Sequence, residues 1–198
     1  MKPIIRPAAE GDAEPIQVIY APVVRDTATS FELEVPGVEA IRERILDKLV
    51  HFPWLVCEYQ NEVLGYVYAG KHRERAAYQW AVDVSVYVSA DYRRAGIGRA
   101  LYTSLFAVLK LQGFYNAFAG IALPNPASVG LHTALGFQPI GVYRHVGYKL
   151  GAWHDVGWWH LTLQPLTDHP TSPGDFSQLR TSEECQQALA AGLPLLRL

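Results

Sequence analysis

Valines at every second position mark the clearest element of the chain. Trp80, Val82, Val84, Val86 and Val88 alternate with Ala81, Asp83, Ser85 and Tyr87, a period of two that predicts a long strand with one apolar face. Shorter apolar runs at Ile4-Ile5, Trp54–Tyr59 and Val63–Tyr68 predict three further strands, the last two joined by the turn Gln60-Asn61-Glu62. Helical spacing takes over elsewhere. Ile16, Ile19 and Tyr20 follow a capping Asp12 in a helix that Pro22 should end or kink, and Val38, Ile41, Ile45 and Leu49 mark a second helix. Leu101, Leu105, Val108 and Leu109 share one inward face of a helix that Gly113 should stop. Phe114–Leu123 reads as a strand, and Asn125-Pro126 supplies the N-cap and first-turn proline of a helix ending near Gly136. Strands over Phe137–Gly147 and His154–Leu163 close the series. The order β-α-α-β-β-β-α-β-α-β-β predicts one α/β domain over residues 1–164, its central sheet largely antiparallel at both ends.

The pattern breaks at Pro165. Residues 165–174 are rich in proline and small polar side chains, which reads as a linker. Thr181-Ser-Glu-Glu184 then fits a capping box, with Cys185, Ala188 and Leu189 on one helical face. Residues 165–198 are therefore expected to form a linker and a short C-terminal helix on a tether. The 198 residues, 49% of them hydrophobic, suit one globular core. Seventeen Lys+Arg against 19 Asp+Glu leave a net charge of −2, too little for non-specific nucleic-acid binding. Two cysteines cannot make a disulfide framework, and the seven histidines show no metal-ligand spacing. The N-terminus turns acidic after Lys2 and Arg6 without a long apolar run, and nothing approaches the ~18 apolar residues of a membrane span. No membrane attachment, no metal and a cytoplasmic location are the expectations.

The most specific segment is Tyr92-Arg-Arg-Ala-Gly-Ile-Gly-Arg-Ala100, between the long strand and the next helix. Gly96 and Gly98 let the backbone curve and bring N–H groups close to an anion, and the helix start adds free N–H groups and a positive dipole end. Arg93, Arg94 and Arg99 add charge. A glycine-rich turn alone would be ordinary, and this one lacks both the third glycine of a dinucleotide fingerprint and the Gly-Lys-Ser/Thr of a nucleotide loop. The arginines favour a phosphate or pyrophosphate cradle. Asp83 is out of place in an apolar strand, and the residues alone leave two readings equal: a general base or a solvent-facing carboxylate. Arg73 and Arg75 suit a ligand carboxylate, although His72-Arg-Glu-Arg75 also reads as a solvated loop.

Arg93-x-x-Gly96-x-Gly98 after a strand ending Val-Tyr-Val-Ser resembles the acetyl-CoA signature of the GNAT N-acetyltransferases. Three segments resemble the phosphinothricin/methionine-sulfone acetyltransferase branch. They are Arg73-x-Arg75-x-Ala77-Tyr78, Leu123-Pro-Asn-Pro-Ala-Ser128 with Leu131-His-x-Ala-Leu-Gly-Phe137, and Gly147-Tyr-Lys-x-Gly-x-Trp-His-Asp-Val156. The likeness runs from about Ile4 to Leu163.

The resemblance implies a GNAT fold, a mostly antiparallel mixed sheet flanked by helices, with a bulge in the long strand at the cofactor site. It implies direct acetyl transfer from acetyl-CoA to a primary amine of a small amino-acid-like acceptor, in a homodimer. Val86, Tyr87 and Val88 would meet the pantetheine arm, as would Asn125 and Ser128. Arg93, Arg94, Ala95, Gly96, Ile97, Gly98 and Arg99 would hold the pyrophosphate. Asp83 stands where the family has its catalytic glutamate, one methylene shorter, which suggests a water relay. Arg73, Arg75, Phe31 (in a loop with Ser30 and Glu32) and His132 would line the acceptor site. His72 stands where the family usually has an aromatic. Two other readings stay open: transfer to a different amine or a peptide N-terminus, and a non-catalytic acyl-CoA-binding sensor.

Overall fold

The computed structural model describes residues 2–198. Seven strands form one sheet: β1 (Ile4–Pro7), β2 (Trp54–Tyr59), β3 (Glu62–Lys71), β4 (Ala81–Val88), β5 (Asn116–Leu123), β6 (Gln138–Lys149) and β7 (Ala152–Thr162). Their order across the sheet is β1-β2-β3-β4-β5-β7-β6. Hairpin-type neighbours pair antiparallel, and β4–β5 alone is parallel, because α3 (Ile97–Gln112) carries the chain between those two strands.

The two faces of the sheet are set by the alternation along β4. Odd-numbered side chains face α1 (Ala13–Asp26), where the Tyr87 ring meets Tyr20 edge-on at 5.0 Å. Even-numbered ones face α3, whose Gly98 lies against Val88. Next to α1 packs α2 (Val38–His51), burying Ile41, Ile45 and Leu49 as its spacing predicts. Pro22 does not end α1. Burial of Val24 two residues beyond it holds the helix to Asp26, and the lost backbone bond is tolerated. Asp12 also departs from its expected role. Its carboxylate accepts from the Ala9 N–H at 2.7 Å and pairs with Arg6 at 2.7 Å, fixing the strand-to-helix turn rather than capping α1.

β4 and β5 pair only at Ala81–Asp83 with Asn116–Phe118, and then part. Meanwhile the β3–β4 ladder runs without a register shift from Gly65↔Val88 to Lys71↔Val82. This corrects the expected bulge: backbone groups of the long strand are freed because its neighbour diverges, not because an extra residue disrupts its ladder.

The C-terminal segment is docked rather than tethered. Beyond β7, Trp80 Nε1–H donates to the Thr171 carbonyl at 2.8 Å, and Gln112 Nε2 donates to the Gly174 carbonyl at 2.8 Å. Two short helices follow, α5 (Phe176–Leu179) and α6 (Glu183–Ala190), the latter capped by Ser182, whose hydroxyl accepts from the Cys185 N–H at 3.1 Å. Phe176, Cys185, Ala188 and Leu189 are buried, and α6 lies along α3. Their apolar face needed a partner, and α3 supplies it.

Candidate active site

A cavity of about 640 Å³ lies at the start of α3. Val88, Arg93, Arg94, Gly96, Ile97, Gly98, Arg99 and Leu131 line it, so the arginine–glycine segment opens onto free volume. Gly96 holds the N-cap in the left-handed region at φ 80°, and Arg94 is also left-handed at φ 68°, a conformation that costs a non-glycine residue about 1 kcal/mol. Ala100 N–H is the first of α3 to bond back, to the Gly96 carbonyl at 2.9 Å. Ile97, Gly98 and Arg99 therefore lead the helix with N–H groups that have no acceptor within it. Among the described residues, Arg93, Arg94 and Arg99 take part in no ion pair. Free amides, a 16-residue helix start and unneutralised guanidinium groups together fit a diphosphate.

From this cavity a track follows β4 inward. The Ser89 N–H donates to the Leu64 carbonyl at 2.9 Å. By the alternation of an antiparallel ladder, odd-numbered residues of β4 turn their backbone groups to β3 and even-numbered ones toward β5. Past Asp83, β5 has parted, so Val84, Val86 and Val88 present N–H and C=O groups to the gap. Sequence reasoning named Val86 and Val88 but missed Val84. Tyr87 differs from that expectation in its backbone, which pairs with β3 opposite Tyr66, although the residue borders the cleft. Opposite the gap, Asn125 and Ser128 line the same cleft, and Asn125 Oδ1 accepts from the Ser128 N–H at 3.1 Å to cap α4 (Pro126–Ala134).

Asp83 stands at the closed end of this track, beside the last β4–β5 pairs. Its carboxylate is half-buried, and its Oδ1 lies 2.6 Å from His72 Nδ1. Burial pushes its pKa up from the ordinary carboxylate value, opposed by the His72 hydrogen bond and by the charges of His72, Arg73 and Lys48. His72 is in turn clamped: its ring stacks on Phe118 at 4.2 Å and meets Tyr78 and Trp158 edge-on. With an ionised Asp83, His72 Nδ1–H is the donor. No spacing in the sequence signals this contact, because the two residues lie at the ends of different strands and meet only through the β3–β4 register.

Two small cavities share Trp158 in their walls. One, about 210 Å³, is lined by His72, Arg73, Phe118, Ile140, Tyr143 and Trp158. Phe31, Tyr143, Val146, Val156 and Trp158 line the other, about 320 Å³. Arg73 crosses the Trp158 ring at 5.7 Å and Phe31 packs within 6.2 Å of the His154 ring. Arg73 lines the first of these cavities and Phe31 the second. Arg75 is not among the residues lining these cavities; it stands exposed on the loop before a 3-10 turn at Ala76–Tyr78. Ser30 and Glu32 anchor the Phe31 loop instead of lining the site: Tyr20 Oη lies 2.7 Å from Ser30 Oγ and donates to Glu32 at 3.0 Å, and Lys149 Nζ donates to the Ser30 carbonyl at 2.6 Å. Trp158, unmarked by sequence reasoning, is shared by both cavities, and its buried Nε1–H has no partner among the described residues.

His132 is not with the acceptor residues. It is buried on α4, where Nδ1 lies 2.8 Å from the Ser128 carbonyl and Nε2 lies 3.0 Å from Tyr102 Oη. A carbonyl only accepts, so Nδ1 carries the proton and Tyr102 O–H donates to Nε2. Burial lowers its pKa, keeping the ring neutral. Both nitrogens are thus bonded within the protein, and the residue borders the cleft beside β4.

The profile of the acetyltransferase (GNAT) domain family matches residues 5–158. A phosphinothricin N-acetyltransferase of Streptomyces viridochromogenes is 37% identical over 177 residues, covering 85% of this chain and 93% of that protein. An L-methionine sulfoximine/L-methionine sulfone acetyltransferase of Pseudomonas paraeruginosa is 35% identical over 173 residues, covering 86% of this chain and all of the other (100%). Among solved structures, a phosphinothricin acetyltransferase from Sinorhizobium meliloti in complex with acetyl-CoA superposes with a TM-score of 0.82 at 30% identity, covering 92% of this chain and 100% of that one. The parted parallel strands, the arginine–glycine helix start and these matches agree, and the chain belongs to the GNAT N-acetyltransferases.

Proposed function

We propose that the protein transfers the acetyl group of acetyl-CoA to the α-amine of a small amino-acid-like acceptor of the phosphinothricin, methionine sulfoximine or methionine sulfone type. The single observation that carries this reading is the succession along the parted edge of β4 of the arginine-lined α3 cavity, the cleft at Val84–Tyr87 and Asp83 at the last β4–β5 pair. A diphosphate seated on the amides of Ile97, Gly98 and Arg99 directs an extended arm down that edge, and Val84, Val86 and Val88 offer it ladder partners. A free β4 amide polarises the thioester carbonyl. The neutral amine then attacks the carbonyl carbon, the C–S bond breaks, and coenzyme A leaves as the thiolate, which takes a proton from water as Asp83 later returns its own to solvent. The proton shed by the nitrogen passes through a water to Asp83, whose reach is one methylene too short for direct transfer. His72 positions that carboxylate and is not itself a reactant.

Arg73 supports an acceptor that carries a carboxylate, and the apolar walls of Phe31, Tyr143 and Trp158 favour a short, uncharged remainder. A homodimer accompanies this reading. Ile140, Val142, Tyr143, Val146 and Tyr148 are at least 47% exposed along the edge strand β6, more apolar surface than an isolated edge tolerates. No described helix is long and apolar enough to cross a membrane, and no cluster of metal-ligating side chains occurs among the described residues.

Thiol release from acetyl-CoA, followed across phosphinothricin, the two methionine analogues, the common amino acids and a short peptide, tests the proposal. The expected result is turnover confined to free amino-acid-like amines and abolished by blocking the α-amine. Release with the peptide alone, or with no amine at all, overturns it.

A further inference from the structure

Three residues of the C-terminal tail reach the cavity at the start of α3. Pro194, Leu195 and Arg197 line it together with Arg93, Arg94 and Arg99. The tail is held there by backbone contacts along α3. Buried Ser104 uses its hydroxyl twice, donating to the Leu189 carbonyl at 2.8 Å and accepting from the Gly192 N–H at 3.1 Å. A Cβ at Gly192 would run into the Ala100 carbonyl, so the tail lies directly on the helix backbone. A Cβ at Gly96 would likewise meet the Leu195 carbonyl, and the Arg197 N–H donates to the Ala95 carbonyl at 3.0 Å. Arg197 is thereby fixed beside the loop that the other arginines occupy.

Four guanidinium groups then surround one cavity, and no carboxylate lines it. None of the four takes part in an ion pair among the described residues, although Arg6, Arg25, Arg42 and Arg44 all do. In a chain of net charge −2 such a cluster repels itself until an anion enters. Coenzyme A carries two separate phosphate groups. The diphosphate is accounted for by the α3 amides and the arginines of the loop. The 3′-phosphate on its ribose, a monoester with about −1.5 to −2 charge near neutrality, needs a cation of its own.

Resting on the acetyl-CoA reading above, we propose that the C-terminal tail is a wall of the coenzyme A site and that Arg197 binds the 3′-phosphate. The residues involved lie beyond the 5–158 span of the family profile. The tail thus adds to the site a contact that the domain core does not contain.

Calorimetric titration of the full chain with coenzyme A and with 3′-dephospho-coenzyme A tests this. The full-length wild type, Arg197→Gln and Arg197→Lys are compared, with equal thermal midpoints establishing that each variant is folded. Arg197→Gln is expected to weaken coenzyme A by about tenfold and to leave the dephospho form within about twofold of wild type, with Arg197→Lys restoring most of the loss. An unchanged or tighter coenzyme A constant in Arg197→Gln overturns the proposal, as does an equal loss for both ligands. A wild type that binds neither ligand overturns the acetyl-CoA reading itself, and this one with it.

Discussion

Asp83 sits where opposing influences on a carboxylate meet. Burial raises its pKa, which makes it a better proton acceptor near neutrality, and the His72 hydrogen bond pulls it back down. Two outcomes follow from that balance. Asp83→Asn should lower kcat by about 10²-fold or more while leaving the affinity for acetyl-CoA unchanged; steady-state kinetics beside calorimetry separates the two. His72→Phe removes the lowering influence, so the acidic limb of the kcat/KM profile should move to higher pH while the fold and coenzyme affinity are kept. A purely packing role for His72 would leave that limb in place. His132 titrates with the opposite consequence, through stability. Its pKa is lowered in the folded chain, so below the ordinary value of 6.5 the unfolded chain binds a proton that the folded one resists, and stability falls as pH drops through that range. Urea unfolding at about pH 7.5 and about pH 5.5 should show this loss, reduced in His132→Gln.

Elements put these residues in place through ordinary local rules. Asn125 caps α4 and Pro126 opens it, as the sequence predicts. Asn125→Ala should cost about 1 kcal/mol in chemical denaturation. The seven strands and the first four helices were legible because their apolar spacing is regular: the β4 valines and the α3 leucines leave little choice of period. The freeing of β4 was not legible. Divergence of β5 is a long-range feature of the sheet that no spacing within β4 encodes, so the sequence alone, through its resemblance, points to a bulge and gives no reason to single out Val84. The His72–Asp83 contact was hidden for a related reason, since an 11-residue separation through a loop says nothing about register. Arg93, Arg94 and Arg99 could be read because glycine and arginine chemistry is local. Arg197 could not, because a proline-rich stretch gives no sign that the helix beyond it will dock on α3.

At the scale of the whole molecule, apolar surface and charge each have one consequence. The β6 edge should pair with a second copy of the chain, and light scattering is expected to give twice the mass of one chain, with Val142→Glu shifting the species toward the monomer. A wild type that stays monomeric at all working concentrations contradicts the dimer. The cluster of unpaired arginines at the start of α3 is the centre of the account, because it defines the ligand from which all the chemistry follows. Titration of the purified wild type with acetyl-CoA tests it most directly: saturable heat is expected, at one ligand per chain and weakening as salt is added. Folded protein that takes up no acetyl-CoA, at any salt concentration, would contradict the account.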